Sequence, residues 1–328
     1  MSINVRRTLV VMALLVGIGT TASAQARVDK NVVYGMYSGA AMLLDVHYPA
    51  KPNGFGIIFI SGSGWNAPLG YSATSLKESP QVDMYVPSLV QAGYTVFALT
   101  HRATPTFRYP AQLEDVQRAV RFIRQNAAKY AVDAGRIGGM GGSSGAHLVS
   151  MLATMDGAGD SADPDPVNRQ SAKLQCAVAR AAPSDLTQMS PSLGAPLVTL
   201  LLGASVTEAT PKTSVEYKTA LTASPITYVS ADDPPMLLIH GDADRTVPFH
   251  QSELMEAALK KANVPVKLIR IEGADHGPDF PGAKNPPDYK GEMVKWFDMY
   301  LLKKRSSGSE VRDPRFGMRD TNRMATKE

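Results

Sequence analysis

Ser143, Asp244 and His276 are the residues of this chain whose types and settings best suit chemistry. Ser143 lies in Gly138-Gly139-Met140-Gly141-Gly142-Ser143-Ser144-Gly145-Ala146-His147-Leu148, where Gly141, Ser143 and Gly145 take the spacing G-x-S-x-G. That spacing suits a sharp strand-to-helix turn that lifts a serine hydroxyl clear of the end of a sheet. Arg136-Ile137-Gly138 reads as the end of a buried strand, and residues 146–153 read as the helix that follows. Glycine is needed two residues to either side because a Cβ there would meet the neighbouring strand or helix. The Ser144 amide, at a helix N-terminus, would favour negative charge on a nearby oxygen. A glycine- and serine-rich surface loop would have the same composition, so the partners of Ser143 decide.

Those partners follow in the order Ser, Asp, His. Asp244 lies in His240-Gly241-Asp242-Ala243-Asp244-Arg245-Thr246-Val247-Pro248, after an apolar strand, and His276 lies in Glu272-Gly273-Ala274-Asp275-His276-Gly277, after the next one. One helix separates the two, so their strands should be neighbours and their loops should meet at one sheet edge. His276 would take the Ser143 proton and return it to a leaving group. Asp244 would hold the imidazole in the right tautomer and stabilise its positive form. Asp242 competes with Asp244 for the acid role, whereas Asp275 is too close in sequence to His276 to orient it easily. His147, one turn beyond Ser143, is expected to pack beneath the turn, and His240 to be structural. His47, His101 and His250 carry no partner pattern. The group His240, Asp242, Asp244 and His250 lacks recognised metal-ligand spacing, and the Asp-rich loop 156–165 lacks that of a calcium loop.

The elements that must position these residues alternate along the chain. Residues 32–37 and 42–48 read as strands joined at Ser38-Gly39, and the continuous apolar run 56–60 reads as a central strand covered on both faces. An amphipathic helix at 82–92, stopped by Gly93, precedes a strand at 94–99; a second helix begins at Pro110. Past the turn, 156–168 reads as a surface loop and 174–179 as a strand. Helices follow at 195–202, 213–221, 251–261 and 289–302, and strands at 234–240 and 266–271. Such alternation implies a mostly parallel sheet with helices on both faces.

The chain has 328 residues and a formal net charge of +4. Its length suits one large α/β domain, and its scattered basic residues give no reason to expect a nucleic-acid partner. Arg6-Arg7, the apolar run 9–18 and the small residues up to Ala26 have the order of a secretory signal peptide. Cleavage after Ala24 or Ala26 would start the mature chain near Gln25 or Arg27, exported to the periplasm or the medium with no stable membrane association. The expected division is a signal at 1–26, one catalytic domain at 27–303 with an insertion at about 155–233, and a polar, disordered tail at 304–328. Cys176, the single cysteine, excludes an intrachain disulfide and reads as a buried thiol.

With these motifs in place, the stretch 34–302 resembles the bacterial α/β-hydrolase esterases of the hormone-sensitive-lipase-like and BD-FAE-like (feruloyl or acetyl-xylan esterase) groups. The resemblance rests on Ser61-Gly62-Ser63-Gly64-Trp65, on Phe107-Arg108-Tyr109-Pro110-Ala111-Gln112-Leu113-Glu114-Asp115-Val116, on 141–148, on Ala223-Ser224-Pro225-Ile226, on 240–248 and on Asp275-His276-Gly277. It implies an α/β-hydrolase fold with a small cap or loop insertion, and oxyanion donors in the amides of Ser63, Gly64 and Ser144. Trp65, Asn66, Tyr71 and the segment 189–202 would line the pocket mouth. The chain departs from the usual H-G-G-G-W loop, and a serine at a position that usually takes glycine-only angles is expected to cost ~1–2 kcal/mol of strain. Ser144 and Ala146 replace the usual alanine and glycine of the turn.

These readings converge on a secreted serine carboxylesterase that needs no cofactor or metal and acts on short-chain or carbohydrate-linked acetyl or feruloyl esters. An amidase or peptidase on the same three residues is the nearest alternative. A binding protein that keeps the fold without catalysis is the alternative of another class.

Overall fold

A computed structural model describes residues 27–302; the signal-like segment and the polar tail lie outside the described residues. Eight strands form one sheet: β1 (Arg27–Tyr37), β2 (Ala40–Tyr48), β3 (Gly56–Ile60), β4 (Thr95–Leu99), β5 (Ile137–Gly142), β6 (Cys176–Arg180), β7 (Met236–Gly241) and β8 (Val266–Ile271). Seven helices accompany them: α1 (Pro80–Gln91), α2 (Ala111–Gln125), α3 (Ser144–Thr154), α4 (Ala195–Leu202), α5 (Val215–Thr222), α6 (His250–Lys261) and α7 (Tyr289–Phe297). The strand order is β1-β2-β4-β3-β5-β6-β7-β8. The β1–β2 and β2–β4 pairs are antiparallel, and all the others are parallel. Every residue within the strands β3, β4, β5, β6 and β7 is buried, as strands covered on both faces require.

Side-chain alternation along the strands divides the core in two. Ile57 and Phe59 of β3, Val96 of β4 and Met140 of β5 pack with Val82, Val86 and Leu89 of α1 and with Met293 and Phe297 of α7. Ile58 and Ile60, from the same β3, face the opposite layer with Val116 and Val120 of α2, Leu148 and Leu152 of α3, and Met255 of α6. Cys176 is buried in the first layer, and burial pushes its thiol up.

Two expectations change. Residues 155–233 are not one insertion, because β6 within them is hydrogen-bonded between β5 and β7 in the interior of the sheet. The part after β6 meets the loops at the carboxyl ends of the strands, through Leu193 and Gly194 on the loop after β7 and Leu197 of α4 on the loop after β3. The helix expected over 289–302 stops at Phe297 and continues as a π-helical turn, Asp298–Leu302. There Phe297 and Leu301 both press on Gly138, and Arg136 Nη1 donates to the Leu301 carbonyl (2.8 Å).

Candidate active site

β5 ends at Gly142 and α3 begins at Ser144, so Ser143 alone makes the turn. Its backbone sits at φ +52° and ψ −123°, a conformation that non-glycine residues adopt only when the surroundings impose it. Two hydrogen bonds impose it here: the Ser143 amide donates to the Arg180 carbonyl (2.7 Å), and its carbonyl accepts from the His147 amide (2.9 Å). The glycines leave no alternative. A Cβ on Gly141 would stand 2.4 Å from the carbonyl carbon of Gly145, and one on Gly145 would stand 2.1 Å from the Ile60 oxygen.

The loops after β7 and β8 reach Ser143 from the side. His276 Nε2 lies 3.0 Å from Ser143 Oγ, and His276 Nδ1 lies 2.6 Å from Asp244 Oδ2. Asp244 Oδ1 accepts the amides of Thr246 (2.9 Å) and Val247 (2.8 Å). Burial works to raise the Asp244 carboxyl, but hydrogen bonds from His240 and His276 and from the Val247 amide outweigh it and hold it well below the usual carboxylate range. An ionised Asp244 requires a proton on His276 Nδ1. Nε2 is then free to accept from the Ser143 hydroxyl, the arrangement a general base needs.

The other acidic candidates are spent elsewhere. Asp242 accepts from Arg270 Nε (2.7 Å) and from the Gly273 amide (2.7 Å), which ties its loop to β8. Asp275 pairs with Arg245 and caps the His276 amide (2.7 Å), so it shapes the histidine's loop from outside. His240 is buried at the end of β7, where Nε2 lies 2.9 Å from the Val247 carbonyl and 3.2 Å from Asp244 Oδ2, and Nδ1 lies 2.7 Å from Ser252 Oγ. It therefore braces the carboxylate from below. His250 is exposed beside Glu253, turned away from this cluster.

The loop after β3 lies against the turn. A Cβ on Gly62 would come 2.5 Å from the Gly142 oxygen and 3.0 Å from Ser143 Cβ. Among the described residues the amides of Gly64 and Ser144 have no hydrogen-bond partner, whereas the Ser63 amide donates to Ser144 Oγ (2.9 Å). The strain expected at Ser63 is absent. Gly64 (φ +66°) and Trp65 (φ +56°) take the left-handed angles instead, so the serine sits at ordinary ones.

The pocket-mouth residues are dispersed. Trp65 is only 2% exposed and turns into the core, where its Nε1 donates to His147 Nδ1 (3.1 Å) with the rings edge to face. A polar indole atom needs a partner when buried, and His147 supplies it, so Trp65 is a packing residue. Asn66 bridges to Thr104, and Tyr71 is fully exposed. From the segment 189–202, Leu197 of α4 packs against Gly64: a Cβ there would meet its Cδ1 at 2.6 Å. Residues 193 and 194 dock on the aspartate loop through Leu193 N to Arg245 O (3.0 Å) and Gly194 N to Thr246 O (3.1 Å).

Three residues the sequence reading passed over support the site. Gln81 and Tyr85, one turn apart on α1, hold the Gly62 backbone and the Pro278 carbonyl respectively. Arg180, fully buried at the end of β6, donates from Nη1 to the Gly277 carbonyl (2.6 Å), and its guanidinium lies 5.4 Å from the Phe280 ring centre. Its signal was legible: an arginine closing the otherwise apolar strand Cys176–Arg180. Gln81 carries no such mark.

Residues 44–259 match the BD-FAE family. Esterase LipQ of Mycobacterium tuberculosis is 28% identical over 224 residues, 68% of this chain and 50% of its own length. Among solved structures, a truncated carbohydrate esterase from gut microbiota superposes with a TM-score of 0.70 at 28% identity, over 86% of this chain and 99% of that one. An acetyl ester-xyloside bifunctional hydrolase from Caldicellulosiruptor lactoaceticus superposes at 0.67 and 26% identity, over 86% and 98%. The chain spans about half the length of the curated relative it matches here. With its mixed, mostly parallel sheet and flanking helices, this chain belongs to the BD-FAE family and has the α/β-hydrolase fold.

Proposed function

We propose that this protein is a serine carboxylic ester hydrolase. The observation that carries the reading is the hydrogen-bonded chain Ser143–His276–Asp244, together with the amides of Gly64 and Ser144, which have no partner among the described residues. Ser143 Oγ attacks the ester carbonyl while His276 Nε2 takes its proton. The carbonyl electron pair moves onto oxygen, where the amides receive it. Collapse expels the alcohol, which takes its proton from His276. Water, activated by the same imidazole, then releases the acid and restores Ser143.

For the substrate we favour small acyl esters, acetyl above all, on a carbohydrate alcohol. Leu197 packs against Gly64, so there is little room beside this proposed oxyanion donor, and the gut-microbiota and Caldicellulosiruptor proteins are named for carbohydrate and acetyl ester hydrolysis. Export fits the same reading, since cleavage after Ala24 or Ala26 would leave β1, which starts at Arg27, intact.

The test compares the chain with Ser143→Ala on 4-nitrophenyl acetate, butyrate and octanoate, acetylated xylan and an aminoacyl anilide. Rates falling with acyl length, and a loss of about 10³-fold or more in the variant, support the proposal. Turnover of the anilide at the ester's rate would make the protein an amidase. Equal rates in both proteins would remove Ser143 from the chemistry. Mass spectrometry of exported protein, beginning near Gln25 or Arg27, tests secretion.

A further inference from the structure

Ser144 follows the proposed nucleophile directly, is the first residue of α3 and is 1% exposed. Its Oγ accepts the Ser63 amide at 2.9 Å. A serine hydroxyl also carries one hydrogen to donate, and among the described residues nothing accepts it. The same residue's backbone amide has no partner either. Two donors of one buried residue, the neighbour of Ser143 in the chain, are thus unspent, and the loop donor expected at Ser63 is turned onto one of them.

We infer that the Ser144 hydroxyl is a third oxyanion donor, relaying the Ser63 amide to the reacting oxygen as Ser63 N–H···Ser144 Oγ–H···O⁻. The inference rests on Ser143 being the nucleophile. A hydroxyl that already accepts a hydrogen bond is polarised into a better donor, so the Ser63 amide acts through it. The gain falls mainly in the transition state. A planar ester oxygen is a weak acceptor, whereas the oxygen that takes up the electron pair on attack carries full charge. The bond from Ser143 Oγ to carbon forms, and the displaced proton goes to His276 Nε2. Ser144 keeps its own proton throughout and contributes only a hydrogen bond. In this arrangement it touches the reacting atom and is a catalytic residue in its own right.

The experiment uses the full chain, Ser143→Ala, Ser144→Ala and Ser144→Thr. Two readouts are taken: steady-state hydrolysis of 4-nitrophenyl acetate, and binding of a trifluoromethyl ketone ¹³C-labelled at the carbonyl. That ketone adds to a serine nucleophile as a hemiketal, whose oxyanion titrates visibly by NMR. Expected for Ser144→Ala is a loss of about tenfold in kcat with KM little changed, since the freed Ser63 amide replaces part of the lost donor. The ketone should bind more weakly by a similar factor, and its hemiketal should ionise at higher pH than in the parent. Ser144→Thr, which keeps the hydroxyl, should restore the parent titration. A Ser144→Ala enzyme as fast as the parent or faster, with an unmoved titration, would make the hydroxyl a mere cap on the Ser63 amide and overturn the relay. A slower enzyme with unmoved ketone affinity and titration would overturn it too, because only the packing of the turn would have suffered. Activity surviving in Ser143→Ala would sink the nucleophile assignment and the relay with it, whereas an inactive Ser143→Ala beside an unimpaired Ser144→Ala would sink the relay alone.

Discussion

The carboxamide of Gln81 takes both backbone polar groups of Gly62: the Gly62 amide donates to Oε1 (3.1 Å), and Nε2 donates to the Gly62 carbonyl (2.8 Å). Gln81 is itself fixed in the first turn of α1, where its amide donates to the capping Ser79 hydroxyl and Pro80 opens the helix. One turn further, Tyr85 donates to Pro278 in the loop that carries His276. A single helix therefore sets the spacing between the oxyanion loop and the proton-transfer loop.

Removing that clamp should cost rate and leave affinity. Gln81→Ala frees the Gly62 backbone, and a displacement of about 1 Å at the reacting oxygen is worth up to about 10²-fold. The expected result is a fall of about 10- to 100-fold in kcat with KM within about threefold. Gln81→Glu should do worse, since a carboxylate has no hydrogen to give the Gly62 carbonyl. Steady-state kinetics beside a melting curve decides this, and an unchanged kcat in Gln81→Ala would refute the clamp.

Asp244 is held by donors from four directions, and two of them are imidazoles. Asp244→Asn keeps the shape but removes the charge that fixes the His276 tautomer, so kcat should fall by about 10³- to 10⁴-fold. His240→Ala should cost less rate, about tenfold, but more stability. It opens a cavity and leaves Ser252 and the Val247 carbonyl without their buried partner. Kinetics and urea unfolding of the two variants should rank in opposite orders.

His147 makes stability depend on pH. Burial pushes its imidazole down to about 4 against an unperturbed 6.5, and its bond to the Ala223 carbonyl only partly opposes this. Below pH 6.5 the unfolded chain takes up a proton that the folded one refuses. The stability is therefore complete above pH 6.5, falls as the pH drops, and stops falling near pH 4, a total of about 3 kcal/mol. Urea unfolding from pH 7.5 to 4 should trace that slope. It should flatten in His147→Gln, whose amide can still accept from Trp65 and donate to Ala223.

The glycines of the Ser143 turn and that of the β1–β2 hairpin are of two kinds that mutation can tell apart. Gly145→Ala would drive a Cβ into the Ile60 carbonyl, and Gly141→Ala one into Gly145, so each should destabilise by about 3 kcal/mol or more. At Gly39 nothing lies within 4 Å, but φ is +82°, so Gly39→Ala should cost only about 1–2 kcal/mol. Thermal unfolding of the three variants checks the order.

Much of this was readable along the chain because the forces concerned are local. A continuous apolar run marks a buried strand, so Gly56–Ile60 falls where it was expected; the half-exposed edge strand Val266–Ile271 and the helix read over 195–202 do so too. Gly141 and Gly145 announce a close backbone approach by their spacing alone. The order Ser143, Asp244, His276 was likewise visible, since each follows an expected strand. What stayed open is what depends on a partner distant in sequence. Asp242 and Asp244 lie two residues apart on one loop, with identical side chains. Arg270 and Gly273 claim the first, and His276 claims the second, only once β8 lies beside β7. The same is true of Trp65, which becomes a core residue because His147 waits beneath it, and of Gln81, which matters because α1 brings it to the Gly62 backbone. A hydrogen bond is decided by where its second atom arrives, and for these residues the second atom arrives from 19 to 82 positions away.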